Sequence, residues 1–563
     1  MTRRTRLSLF GVWLTIAPAL LLFAILFYLP LLAELAGSLG NGGAHASFLQ
    51  WTAQLHDTQT RSGIVLSLQY AVASTALALA WGGAWAVGML HDFTGKRLFA
   101  ALSRIPIFMP GIIVALMMLT LLEQGGFLAR TGLPLPRMVR DPTGLGVVCA
   151  MAWKEAPFLG LVIGVALAGV PEITVHAARS LGASPLKAFW LVRVPLAMPG
   201  IATVALLGFI QGMGAFAIPA LLGAPYPKPL SVLIYEAFEY GDWARASALS
   251  ALLSSLSVGV ALLCYRLQDT IMRTSVAQGS HVVHAGPAMT RATVGRTATA
   301  ASSYRARRYW LAALLYGHLS LTLGLPLVVL GLWSVSDGWF APALLPQAYT
   351  ASHWHDVTTD PSLRDALLTS LSIAAAVMTL CAAVAIPPAW ALSRMSPVQR
   401  RPIELAVVMP LVVPGVVVAT ALGKILLLAH LSYTWAGVTL AQTVGTLPLM
   451  IWILTAGFTR ISAETISAAR SLGANMVSTV WYVALPEARR ALLGGGLVVF
   501  ASSLEEFDKT FIVGAPNVQT LPVLLYAQVD GAGIVYPVAA VASFVLMLPS
   551  VMIFLATVLT ARD

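Results

Sequence analysis

Charge is what this sequence has least of. Asp, Glu, Lys and Arg together make up 10% of the 563 residues, against about 25% in a soluble globular domain. With 58% hydrophobic residues and a mean hydropathy of +0.81, there is too little polar surface to face water on every side, so a nonpolar solvent has to cover the rest. Cysteine is scarcer still. Cys149, Cys264 and Cys381 each fall in an apolar stretch, at no metal-ligand or redox spacing, and read as small core residues. The sequence contains no G-x-x-x-x-G-K-[ST] phosphate loop, no H-E-x-x-H zinc motif, no dinucleotide glycine fingerprint and no nucleophile motif. The expectation is a protein that is not an enzyme on its own, with no metal site and no cofactor held by this chain.

Long apolar runs are what it does have. A spanning helix needs about 20 mainly apolar residues at 1.5 Å rise each, and twelve stretches meet that need: 10–33, 63–90, 99–122, 145–170, 197–222 and 244–265, then 309–335, 366–392, 403–428, 435–458, 491–514 and 534–559. The first follows Arg3, Arg4 and Arg6 but is too long for the apolar region of a secretory signal, and no convincing A-x-A site follows it, so it reads as a retained helix. The net charge of +11 is a topology signal rather than a nucleic-acid footprint. With the N-terminus inside, 23 of the 34 Lys and Arg residues fall in segments assigned to the cytoplasm, as short cytoplasmic loops require. Both termini are therefore expected in the cytoplasm of a multi-pass plasma (inner) membrane protein. The largest basic cluster lies between Arg266 and Arg308, a polar stretch without apolar periodicity. It divides the chain into 1–266, a cytoplasmic linker 267–308, and 309–563.

The two flanking parts are copies of one another. Residues 177–183, AARSLGA, recur unchanged at 468–474, an offset of 291. At the same offset Pro157 answers Pro448, Pro195 answers Pro486, Phe209 answers Phe500, Phe216 answers Phe507, Gly223 answers Gly514 and Tyr235 answers Tyr526. Earlier, Pro106, Pro110 and Gly111 answer Pro410, Pro414 and Gly415 at an offset of 304, which places the length difference in the outer loop after the third span. Six spans per copy is an even number, so the copies share one orientation and a pseudo-twofold axis can run along the membrane normal.

The strongest identity lies in a polar loop between the fourth and fifth spans of each copy, and loops tolerate change most readily. Residues 173–181 suit a short helix, Gly182 a left-handed C-terminal cap, and Ser184 with Pro185 the start of a second helix ending at Pro195. The second copy repeats this with Gly473, Asn475 and Pro486. Small alanines beside a glycine turn let another protein approach closely.

These residues resemble the transmembrane subunits of binding-protein-dependent ABC importers, whose signature is E-A-A, three residues, G, nine residues, I-x-L-P. Here the pattern reads His176, Ala177, Ala178, Gly182, Ala183, Val192, Val194 and Pro195, then Ser467, Ala468, Ala469, Gly473, Ala474, Val483, Leu485 and Pro486. The family's glutamate is His176 in one copy and Ser467 in the other, which leaves its usual charge contact in doubt. The resemblance covers nearly the whole chain, as two permeases fused end to end, and implies an all-α fold of about twelve transmembrane helices in two tandem six-helix, MetI-like repeats. It implies loops that couple to two copies of a cytoplasmic ABC ATP-binding subunit, which uses the ATP, and an extracytoplasmic solute-binding protein. Fused permeases of this kind resemble importers of ferric iron and thiamine, and 506–526 resembles polyamine-type permeases.

Ionisable residues within a span mark a translocation path by default. Lys154 and Glu155 lie in the fourth span, and Glu505, Glu506, Asp508 and Lys509 in the eleventh, where the first copy has Gly214, Ala215, Ala217 and Ile218. The excess of carboxylates suggests a cationic solute, with structural salt bridges as the competing reading. The competing function is an ion-gradient-driven secondary transporter, since parallel six-span repeats occur there too.

Overall fold

The structure, a computed structural model, describes residues 9–39, 49–278, 298–529 and 535–560. Among these the chain is helical, with one isolated bridge between Ser336 and Tyr349 as its only β-type pairing. That is the form in which a chain in lipid satisfies its own backbone hydrogen bonds. Each of the twelve apolar stretches is helical, but not all are continuous. Nine helices are long and apolar enough to cross a bilayer, or ten when the pair Pro397–Val412 and Gly415–Leu428 is taken as one bent span. Helix Arg489–Glu505 with Asp508–Gly514, and helix Tyr536–Thr560, do not meet that measure among the described residues.

Two of the six positions in each copy are broken, the third at prolines whose expected effect was a kink and the fifth where the sequence suggested one unbroken helix. In the third position Pro110 and Pro414 stand as N-caps of helices Gly111–Leu122 and Gly415–Leu428, because a proline lacks the N–H that a helix running through it would need. The second copy's two segments meet there at 93°. In the fifth position helix Val194–Gly214 stops and Ala217–Leu222 begins after Phe216, and Arg489–Glu505 stops and Asp508–Gly514 begins after Phe507. The second position is intact in both copies and starts on an aspartate cap. Asp57 accepts from the backbone N–H of Gln59 and Thr60, and Asp360 from that of Ser362.

The copies are interlocked. The first helix packs its buried face, Ile16 to Phe27, into a core with Ile373, Cys381, Val416 and Leu447 of the second copy, and the Tyr28 hydroxyl donates to the Ala406 carbonyl at 2.8 Å. The seventh position, within Arg308–Ser334, lies reciprocally on the first copy. There the Trp153 indole donates to Thr322 and the Tyr316 hydroxyl donates to Gly95. The extra length of the loop after the third span serves the same end: Arg130 donates to the Ala343 carbonyl at 3.2 Å and stacks on Trp339 at 4.8 Å.

Of the stretch read as a linker, helix Trp243–Gln278 covers the beginning and helix Ala298–Leu319 the end. Residues 279–297 lie outside the described residues, as do Arg3, Arg4 and Arg6.

Candidate functional site

Both loops fold to one geometry. Helix Glu172–Ser180 closes on Gly182 at φ +91°, and helix Ala463–Ser471 on Gly473 at φ +88°. In each, the glycine N–H bonds to the arginine carbonyl three residues back and the following alanine N–H to an alanine carbonyl five back: Gly182 to Arg179 and Ala183 to Ala178, Gly473 to Arg470 and Ala474 to Ala469. Only glycine adopts that φ without strain. A second cap follows at once, Ser184 accepting from Lys187 N–H and Asn475 from Ser478 N–H. The turn thrusts one leucine outward in each copy, Leu181 at 90% and Leu472 at 88% exposure. His176, Ala177, Ser467 and Ala468 are exposed beside them, with Ala178, Ala183, Ala469 and Ala474 half-buried beneath.

The second short helix does not end at its proline. From Phe189 the chain widens into a π turn, Phe189–Arg193, and runs on as helix Val194–Gly214 with Pro195 in its first turn. The second copy does the same at Val480–Ala484 ahead of Pro486, then breaks at Ala488. A π turn also precedes Pro30 at Ala24–Tyr28 and Pro326 at Ser320–Gly324. In all four the residue before the proline donates to a carbonyl five residues back: Leu29 to Ala24, Val194 to Phe189, Leu325 to Ser320, Leu485 to Val480. The wider turn makes room for the proline ring and absorbs its missing donor, so the helix survives a residue that would otherwise end it.

The pseudo-twofold axis is visible in the aromatic residues. Phe216 and Phe507, matched at the offset of 291, stack on each other with centroids 6.0 Å apart and planes 10° from parallel. Each is flanked by its own copy's tyrosine, Phe216 by Tyr235 at 5.0 Å and Phe507 by Tyr526 at 5.1 Å. Phe511 breaks the symmetry by packing on Phe507, Phe216 and both tyrosines. Together they close the axis where the two fifth-position breaks meet. Phe216, Tyr235 and Tyr526 also border a cavity of about 330 Å³ lined by Arg140, Lys228 and Glu236.

The intramembrane charges collect against these breaks. Lys509 Nζ pairs with Glu506 Oε2 at 2.7 Å, and its backbone N–H donates to Glu506 Oε1 at 3.1 Å. Lys154 reaches across from the first copy, its charge acting on Glu505 and Asp508. The two lysines occupy related places from different helices. Lys154 borders Gly111 beside Ile218 and Lys509 borders Gly445, while at the offset of 291 Lys154 answers Gly445 and Lys509 answers Ile218. Each copy thus carries one ammonium between its fourth and fifth positions. Glu155 stands apart, its Oε2 buried without a partner beside Gly208. Of these carboxylates Glu506 is ion-paired with Lys509, whereas among the described residues Glu505 and Asp508 make no ion pair and lie in the field of Lys154.

Sequence reasoning missed a second place where opposite charges face each other across the copies. Glu34, 4% exposed in the first helix, lies in the field of Lys424, whose Nζ borders Gly37 one turn on. Lys424 lies inside the apolar stretch 403–428, the signal that found Lys154, and Glu34 stands one residue past the stretch 10–33. Cys149 and Cys381 are free thiols, Cys381 buried with its sulfur 3.3 Å from Thr446 Oγ1.

Comparison with known proteins agrees with this architecture. The sequence profile of the binding-protein-dependent transport system inner membrane component family matches twice, over residues 76–274 and 383–562. A probable ABC transporter permease protein, y4fN of Sinorhizobium fredii, is 26% identical over 597 aligned positions, covering 100% of this chain and 98% of its own. The molybdate/tungstate transport system permease protein WtpB of Pyrococcus abyssi is 28% identical over 37% of this chain and 77% of its own. The sulfate transport system permease protein CysT of Synechocystis is 30% identical over 32% of this chain and 63% of its own. The chain belongs to the binding-protein-dependent transport system inner membrane components, the ABC importer permeases, and holds two copies of that unit in one polypeptide.

Proposed function

We propose that this chain by itself forms the transmembrane pathway of an ATP-driven importer, with 1–266 and 309–563 as its two permease repeats and 267–308 as the connection between them. The observation that carries the reading is the pair of loops with one geometry, each presenting an exposed leucine beside a left-handed glycine, in a chain with no phosphate-binding loop of its own. Two copies of a cytoplasmic ATP-binding subunit seat on these loops, one on 176–183 and one on 467–474. Closure of the two subunits on ATP draws the loops together and, through the helical runs past Pro195 and Pro486, moves the fifth positions that meet at Phe216 and Phe507. A solute-binding protein delivers at the opposite face, and both termini lie with the ATP-binding subunits in the cytoplasm of the inner membrane. Relatives bear the names of molybdate, tungstate and sulfate permeases, anions rather than the cation that the carboxylate excess suggested. Selection of the solute therefore rests mainly with the binding protein.

Reconstitution in sealed vesicles tests this. Uptake requires ATP, the ATP-binding subunit and the loaded binding protein together. Uptake driven by a proton or sodium gradient in their absence identifies a secondary transporter instead.

A further inference from the structure

One groove on the membrane-facing side of the first copy belongs to none of this machinery. It has a volume of about 250 Å³ and runs between helix Thr58–Met89 and helix Leu145–Ala168, with the segment 99–104 along its side. Its walls are apolar, Met89 and Leu90 on one side and Leu161 and Val165 on the other, and Gly164, with only Ala86 near the place a Cβ would take, keeps it open. Leu161 and Val165 are exposed at 37% and 66%, so the groove opens on lipid-facing surface. Arg104 is the single charged residue in its lining. Among the described residues its guanidinium has no hydrogen bond, ion pair or ring stack, although the residue is only partly exposed. A guanidinium held in apolar surroundings needs an anion, and its planar fork suits a phosphate.

We infer that this groove holds one anionic phospholipid, an acyl chain lying between the second and fourth positions and the headgroup phosphate on Arg104. Two features favour a lipid over a soluble phosphate or a protein segment. The groove follows two membrane-crossing helices to Leu90 and Ala168, at their ends on the side bearing Lys96, Arg97, Arg179 and Lys187. A basic face of this kind gathers anionic lipid. The second copy lacks both parts together: Val408 stands at the position of Arg104, and Thr455, buried at 1%, stands where Gly164 opens the groove. The cation and the slot thus occur as a pair.

The full chain, extracted from nanodiscs of mixed phosphatidylcholine and phosphatidylglycerol and examined by native mass spectrometry, provides the test. The wild type is expected to keep one phosphatidylglycerol through delipidation that strips other lipid. Arg104→Gln should lower that retention about fivefold, to the level of phosphatidylcholine, because one headgroup charge contact is lost. Gly164→Leu, whose side chain fills the slot, should abolish retention of both lipids, and thermal unfolding of each variant in detergent reports that the fold is kept. Equal phosphatidylglycerol retention in the wild type and Arg104→Gln overturns the inference, as does displacement of the bound species by millimolar glycerol phosphate.

Discussion

Lys154 shows what single side chains do here. It stands in the first copy with its charge acting on Glu505 and Asp508 of the second, so its loss takes a positive charge away from carboxylates in a poor solvent for charge. Lys154→Met is expected to reduce uptake at least tenfold with insertion intact, and Glu505→Gln in the same chain to recover part of it. The cycle should give a coupling of about 0.5–3 kcal/mol, read from transport rates and unfolding midpoints of the four proteins; additive effects would show that the two residues do not interact. The sequence marked both residues through the cost of charge in a span. Their partnership was not legible, because the matched positions, Gly445 and Gly214, hold no charge and reveal nothing of a contact between the copies. Glu34 and Lys424 escaped for a related reason: each looks isolated until the first helix is seen crossing to the other copy.

Short elements decide the coupling loops. Gly182 and Gly473 have open space where a Cβ would stand, so replacement there meets backbone strain, not a clash. Gly473→Val should cost about 1–2 kcal/mol locally and separate ATP hydrolysis from uptake, while Gly473→Asn, a residue that tolerates the left-handed region, should keep most of the coupling; equal behaviour of the two would remove the conformational explanation. Leu181→Asp with Leu472→Asp tests docking itself. Both side chains are exposed, so the fold should stand, and the ATP-binding subunit should no longer co-purify. Helix, glycine cap and second N-cap of these loops were legible because each rests on one residue type with a local preference. The four π turns were not. A proline in the sequence signals an interruption, and only the hydrogen bond five residues back shows that the helix continues.

The whole molecule behaves as one body built from two copies. The two largest apolar cores mix residues of both, so residues 1–278 or 298–563 expressed alone should be degraded, and coexpression of the two pieces should restore an assembly that co-purifies and transports. Accumulation of either piece as a stable protein would contradict the interlock. The repeat and its axis could be read from the offset of 291 alone, and the meeting of Phe216 with Phe507 follows from that axis. The exchange of first helices could not be read, since apolar periodicity says that a helix is buried and not against what.

That exchange has a consequence during synthesis. The helix carrying Glu34 leaves the ribosome while most of its eventual neighbours, Lys424 among them, are still untranslated. Until the second copy has entered the bilayer, an acidic side chain waits in oil without its base. Membrane quality control can read this unpaired acid as a mark of an unfinished chain, and translation arrest after the first copy should leave a product that the cell's membrane proteases remove.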